Sequence, residues 1–204
     1  MSSSNRRTAT LALLAAGCAW IGPPALAQAT WPGKPIKLLV GSPPGGPSDI
    51  TARLIGEQLS KRTGQPVVVE NRPGVGNNLA ASAAAKAEPD GTTLVLSPDT
   101  VVTVNPLVYG TQSFDARTEL VNVSVIASFS QMLVCHPSLG VKSVAELVDK
   151  ARGSQLAYGS GGPGVPGHLA AELLLQATGT RMQHIPYRGP APAAQAVLAN
   201  EVSC

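Results

Sequence analysis

The sequence predicts an α/β fold, and three observations carry the prediction. Short apolar runs of strand character alternate with amphipathic or alanine-rich helical runs. Gly, Pro, Asn and Asp clusters separate them. Two of the strand-to-helix junctions share an unusual proline–glycine composition, "GSPPGGPS" at 41–48 and "SGGPGVPG" at 160–167.

Taken in order, "IKLLV" (Ile36–Val40) reads as a buried strand. Ser48 or Asp49 is expected to cap a helix with Ile50, Leu54, Ile55 and Leu59 on its inner face, and Gly64 to end it. "VVVEN" (Val67–Asn71) is a second strand, "RPGVGNN" a loop and Leu79–Ala87 a helix stopped by "PDG". "TLVLS" (Thr93–Ser97) is a third strand, and the βαβαβ order implies a parallel sheet with helices on its faces. Beyond Thr100, Val121–Phe129 and Met132–His136 look like strands. "SVAE" (Ser143–Glu146) is a capping box opening a helix to about Ala151. "LAYGS" is a short strand, followed by a helix from about His168 to Thr178, a strand "MQHIPY" and a helix Ala191–Ala199.

Residues 1–27 have the marks of a cleavable signal peptide: Arg6 and Arg7, the apolar stretch Leu11–Gly22, and "ALA" at Ala25–Ala27. Cys18 raises a lipoprotein alternative, which Ala15 three residues earlier weakens. Cleavage before Gln28 would leave thirteen basic and twelve acidic residues, too little positive charge for a nucleic-acid footprint. The remainder divides into two expected α/β domains, 28–100 and 101–204. The chain stops where a strand should follow the last helix. Three strands make a small first sheet, so we expect that domain to be incomplete here and finished by polypeptide outside this sequence. Cys135, in "MLVCHP", reads as a buried thiol, and with Cys204 it makes no disulfide framework.

Function concentrates in the two proline–glycine loops. In a parallel sheet they lie at the carboxyl ends of strands, where ligands of open α/β sheets bind. Glycine lets backbone N–H groups approach a ligand, and a helix start adds unpaired N–H groups and partial positive charge. The composition therefore specifies an anion site. Neither loop has the Gly-Lys-Ser/Thr of a nucleotide phosphate loop. Gly159, Gly161 and Gly164 match a dinucleotide spacing, but no acid follows the next strand to hold a ribose. Ser160 lacks the upstream glycine of a nucleophile elbow, because Tyr158 stands there, and no Ser-His-Asp spacing stands out. His168 reads as a polar residue at a helix start. No Cys or His pair has zinc spacing, so no metal or cofactor is expected. Arg72 and Arg188 are second-line carboxylate clamps.

"WPGKPIKLLVGSPPGGPSDITARLI", "VVVENRPGVGNN", "AEPDGTTLVL", "NPLVY", "LAYGSGGPGVPGHLAAELL" and "HIPYRGPAPA", in that order, resemble the Bug family. These are the periplasmic solute-binding proteins of tripartite tricarboxylate transporters. The resemblance implies a type II-like periplasmic binding protein, two α/β domains closing on a small carboxylated solute. It places ligand contacts at Ser42, Pro44, Gly45, Gly46 and Asp49 in the first loop and Ser160, Gly161, Gly162 and Gly164 in the second. Ser42 departs from the aromatic or apolar residue common in the family, and Val202-Ser203 from its Val-Asp pair. The expected partners are the solute and membrane transporter subunits, for a monomeric periplasmic protein without enzymatic activity. The alternatives are a secreted α/β hydrolase using Ser160 and a non-functional truncated paralogue.

Overall fold

The computed structural model describes residues 31–110 and 112–204, so the signal-peptide reading at 1–27 lies outside the described residues. Lys34–Cys204 form one compact unit; Met1–Gly33 form another, of which residues 31–33 are described and carry no helix or strand.

The first sheet contains β1 (Ile36–Val40), β2 (Val67–Asn71) and β3 (Thr93–Leu96), in the order β2-β1-β3 with both pairings parallel. β1 is central and is the most apolar of the three, with Ile36, Leu38, Leu39 and Val40 buried. Helix α1 (Pro47–Thr63) connects β1 to β2, and α2 (Asn78–Ala85) leads towards β3. Gly64 closes α1 in the left-handed conformation, its N–H donating to the Ser60 carbonyl.

Two expectations for α1 are corrected. Its N-cap is Gly46, with Pro47 at the first helical position and no side-chain cap, so neither Ser48 nor Asp49 caps it. Its inner face is made of small residues. Ala52 and Gly56 are buried, and a methyl placed on Gly56 would lie 3.3 Å from a Val67 methyl carbon, whereas Ile50 and Leu54 are more than half exposed. Small residues let helix and sheet approach closely, and that close approach turns the larger side chains outward.

After β3 come the short helices α3 (Thr100–Thr103) and α4 (Asn105–Val108). Val101, Phe114 and Ala116 pack with Ala81 of α2. Val121–Phe129 and Met132–His136 are not strands, correcting the sequence expectation. Val121, Val123, Val125 and Met132 are 82–90% exposed. A period-two apolar pattern gives strand tendency, but a strand exists only where a ladder partner lies alongside, and among the described residues this stretch has a single ladder bond, at His136.

The second sheet pairs β4 (Ala157–Ser160) with β5 (Gln183–Pro186) in parallel, joined by α6 (Pro166–Thr178). Helix α5 (Val144–Gly153) precedes β4, and α7 (Pro190–Leu198) follows β5. The Ser143 hydroxyl caps α5 as expected, accepting from Glu146 N–H at 3.2 Å, while Glu146 reaches back to the N–H of Lys142 at 2.7 Å. Helix α6 begins at Pro166, two residues before the expected start.

The last residues extend this sheet. Ser203 N–H donates to the Ala157 carbonyl, and the Cys204 carbonyl accepts from Gly159 N–H at 2.8 Å. On the other side, the Ser203 carbonyl accepts from His136 N–H at 2.9 Å. This places Cys204 beside Cys135, and the two form a disulfide. Cys135 is therefore not the free buried thiol expected. Cys204 packs in a core with Leu147, Ala151, Leu156, Tyr158 and Leu175.

Candidate functional site

The first loop leaves the carboxyl end of β1 and runs from Gly41 to the start of α1. It is tied down from β2. The side-chain amide of Asn71, the last residue of β2, donates to the Ser42 carbonyl and to Asp49 Oδ1, both at 2.9 Å. Asp49 Oδ2 accepts from Gly45 N–H at 2.9 Å, and Arg53 bonds both carboxylate oxygens at 3.0 Å. Arg53, the Gly45 N–H and the Asn71 amide hold the Asp49 carboxyl at a pKa of about 2, against the opposing effect of burial. Asp49 is only 3% exposed, and its oxygens face its own loop and helix. It shapes the loop; its charge is already compensated.

The second loop leaves β4 at Ser160. Ser160 Oγ donates to the Gly162 carbonyl and accepts from Gly162 N–H, at 3.1 and 3.2 Å. Gly164 N–H donates to His168 Nδ1 at 3.1 Å, so His168 fastens the loop to the first turn of α6. Gly162 and Gly164 have φ of +127° and +72°, which an L side chain adopts only with strain.

The structure brings the two loops to one side of the molecule. The turn before α7 sits between them. A methyl on Gly189 would lie 2.7 Å from Pro43 Cδ, one on Gly46 would lie 4.0 Å from Pro190, and one on Gly161 would lie 3.1 Å from the Gly189 carbonyl carbon. A second bridge runs through Tyr109, whose hydroxyl donates to the Pro163 carbonyl at 2.6 Å while its ring covers Gly76. Gly189→Ala combines a φ of +120° with the Pro43 contact. We expect it to cost about 2 kcal/mol in chemical denaturation.

Of the nine residues named from the sequence, Ser42, Gly46, Asp49, Ser160, Gly162 and Gly164 are buried and Gly161 is half-buried, while Pro44 and Gly45 are exposed on the outer turn. Three of the glycine amides are already used. Gly45 N–H goes to Asp49, Gly162 N–H to Ser160 and Gly164 N–H to His168. The N–H groups that make no hydrogen bond among the described residues lie one step further on. They are Gly161 and the first-turn amides Ser48 and Asp49 of α1 and Gly167 and His168 of α6. Both helices begin with proline at the first or second position, so the start of each is preset.

The sequence reading missed a cluster behind the second loop. Ser160 Oγ lies 2.7 Å from His184 Nε2. The His184 ring stacks on His168 with centroids 4.2 Å apart and on Tyr158 at 4.9 Å. Tyr158 donates to Glu172 at 2.5 Å, and Glu172 approaches His168 Nε2 at 3.9 Å. Burial, then the neighbouring His168, holds the His184 pKa below the usual histidine value; Glu172 opposes this. A base with a depressed folded pKa takes up its proton more readily in the unfolded chain. Stability should therefore fall as pH drops through the ordinary histidine range and below it. We expect a lower unfolding midpoint at pH 5 than at pH 8, with the difference reduced in His184→Gln.

Arg72 does not point at the loops as a free clamp: it pairs with Glu70 at 2.7 Å. Two surface depressions lie elsewhere, one around Gln112–Arg117 and one over α1 and β2 around Arg53 and Val69.

Two parallel sheets whose carboxyl-end loops meet at the Gly189–Pro190 turn give an α/β fold of the periplasmic-binding-protein type. The family described as tripartite tricarboxylate transporter family receptor, TctC, matches residues 51–204, and the chain belongs to it. A UPF0065 protein of Bordetella pertussis is 36% identical over 200 residues, covering 97% of this chain and 59% of that protein. Protein BugT of the same organism is 35% identical over 181 residues, covering 85% and 54%. The chain thus spans somewhat over half the length of the curated relatives it matches. Among solved structures, R. palustris Rpa4515 with adipate aligns with a TM-score of 0.82 and 38% identity, covering 85% of this chain and 58% of that one. The periplasmic binding protein BugD aligns at 0.73 and 26%, over 85% and 58%. MatC from Rhodopseudomonas palustris, with bound malate, aligns at 0.75 and 25%, over 85% and 60%.

Proposed function

We propose that the protein captures a small carboxylated solute in the periplasm and presents it to the membrane subunits of a tripartite tricarboxylate-type transporter. The observation that carries this reading is that the two glycine loops meet at the Gly189–Pro190 turn, Pro43 and Gly46 on one side and Gly161 on the other, each loop running on into a proline-led helix start with free first-turn amides. Backbone N–H groups and helix dipoles favour a carboxylate there, and charge-assisted hydrogen bonds contribute about 1.5–3 kcal/mol each in gross terms. A micromolar complex needs only about 8 kcal/mol net. Related structures with adipate and malate support a carboxylate as the solute.

In this reading Ser42, Pro44, Gly45, Gly46 and Asp49 form one wall, and Ser160, Gly161, Gly162 and Gly164 the other. The walls belong to two α/β domains, 28–100 and 101–204, the first of them completed by polypeptide corresponding to the remaining length of the relatives. Pro43 and Gly189 are in contact, so solute entry requires the loops to part and closure brings them together. The Cys135–Cys204 disulfide supports an oxidising compartment, in keeping with export by a signal peptide. Calorimetric titration with a panel of di- and tricarboxylates tests the proposal. Saturable binding of at least one is expected; no heat and no thermal shift with any would refute it.

The Ser160–His184 contact favours one second reading, a hydrolase. Ser160 is only 5% exposed, and its hydroxyl is also committed to Gly162. The readings separate in Ser160→Ala: the hydrolase loses all activity on an ester substrate, whereas the binding protein loses a modest part of its affinity.

A further inference from the structure

Asn105, at the start of α4, is wholly buried. Its amide nitrogen donates to the Gly76 carbonyl at 2.8 Å and to Asn78 Oδ1 at 2.7 Å. The main-chain carbonyl of Gly76 can only accept, so it fixes which end of the amide is nitrogen. The other end, Oδ1, has no hydrogen-bond partner. It faces the second glycine loop, where a methyl on Gly164 would lie 3.5 Å from it. Ser42 Oγ, in the first loop, is likewise buried without a partner. A buried acceptor left unpaired costs free energy, and such a group is retained where a ligand or water completes it.

We propose that Asn105 Oδ1 is a specificity acceptor of the solute site, and that the solute is a hydroxy-dicarboxylate whose hydroxyl donates to it. The proposal rests on the carboxylate-binding reading above and narrows it. The position suits it. Asn105 lies against Gly164 of the second loop, and Gly164 has no side chain to cover the oxygen. Among the described residues the Tyr109–Pro163 hydrogen bond joins these two segments and Val108 lies beside Gly164, so parting the segments at these contacts would uncover the oxygen. The hydroxyl is favoured over an ammonium because an amide oxygen is neutral and supplies no counter-charge. An ammonium would be desolvated without a counter-charge.

Three four-carbon dicarboxylates separate the possibilities on the intact protein: malate with a hydroxyl, succinate with none, and aspartate with an ammonium. Malate should bind about tenfold more tightly than succinate, with aspartate weaker than malate. In the ¹⁵N spectrum the Asn105 side-chain amide should shift with malate and not with succinate. In Asn105→Ala the malate preference should vanish. The amide shift is read on the unaltered protein, so it holds even if Asn105→Ala fails to fold. Equal affinity for malate and succinate, or a preference that survives in folded Asn105→Ala, overturns the inference and leaves carboxylate capture standing. Binding of none of the three, nor of any larger carboxylate, defeats both.

Discussion

Asp49→Ala is expected to lower the unfolding free energy by about 3 kcal/mol and to abolish solute binding. The carboxylate gathers three otherwise separate groups. It holds the Gly45 amide of the turn, the Asn71 amide at the end of β2 and the Arg53 side chain one turn along α1. Removing it takes the partner from the Gly45 N–H and from one of the two Asn71 amide hydrogens, the other staying on the Ser42 carbonyl, and frees the loop that positions α1. Arg53 is half exposed, so its charge returns to water and limits the cost. The pH dependence follows from the same contacts. The folded pKa of about 2 lies below the ordinary 3.8, so this stabilisation is complete above 3.8 and is lost as pH falls towards 2. Asp49→Ala should remove that part of the acid transition. Chemical denaturation between neutral pH and pH 2.5 reads both effects; a variant as stable as the parent would show that the loop needs no anchor.

Breaking the Cys135–Cys204 disulfide should have an effect of the same order. The bridge joins positions 69 apart in sequence. On the loop-closure account, cross-linking a loop of that size removes about 4 kcal/mol of unfolded-chain entropy. The bridge also pins Ser203 and Cys204 between β4 and His136, in the core formed by Leu147, Leu156 and Leu175. Reductant should lower the unfolding midpoint sharply, and Cys204→Ser should show the low midpoint with or without reductant. A midpoint insensitive to reductant would mean that the sheet holds these residues without the bridge.

The first sheet was legible in the sequence because β1, β2 and β3 are short apolar runs closed by turn residues. A buried parallel strand needs little else to be recognised. The inner face of α1 was not legible, because the hydrophobic pattern marks large side chains, whereas Ala52 and Gly56 make the contact. Residues 121–136 show the complementary error. Their alternation is strand-like, but a strand is a property of a pair, and one chain segment cannot declare its partner.

The loops were legible from composition alone as strand-to-helix junctions rich in glycine and proline. The assignment of donors within them was not. Glycine at 45, 162 and 164 reads as bare amide, yet Asp49, Ser160 and His168 each turn back to occupy one. The free donors moved to the helix starts that Pro47 and Pro166 preset. The Ser160–His184 contact lies across 24 residues. It arises because β4 and β5 are parallel neighbours, with Tyr158 opposite His184 and Ser160 next along the same face. Polar residues at the ends of two strands of one βαβ unit were the available signal. The Cys135–Cys204 pairing had none, since it depends on where Ser203 and Cys204 join the sheet.

The central claim is that the first-turn amides of α1 and α6, with Gly161, recognise the solute's carboxylates. An ¹⁵N amide titration with the tightest-binding dicarboxylate tests it most directly. The amides of Ser48, Asp49, Gly161, Gly167 and His168 should shift together and saturate with a single affinity. Saturable binding that leaves those five resonances unmoved would contradict the account.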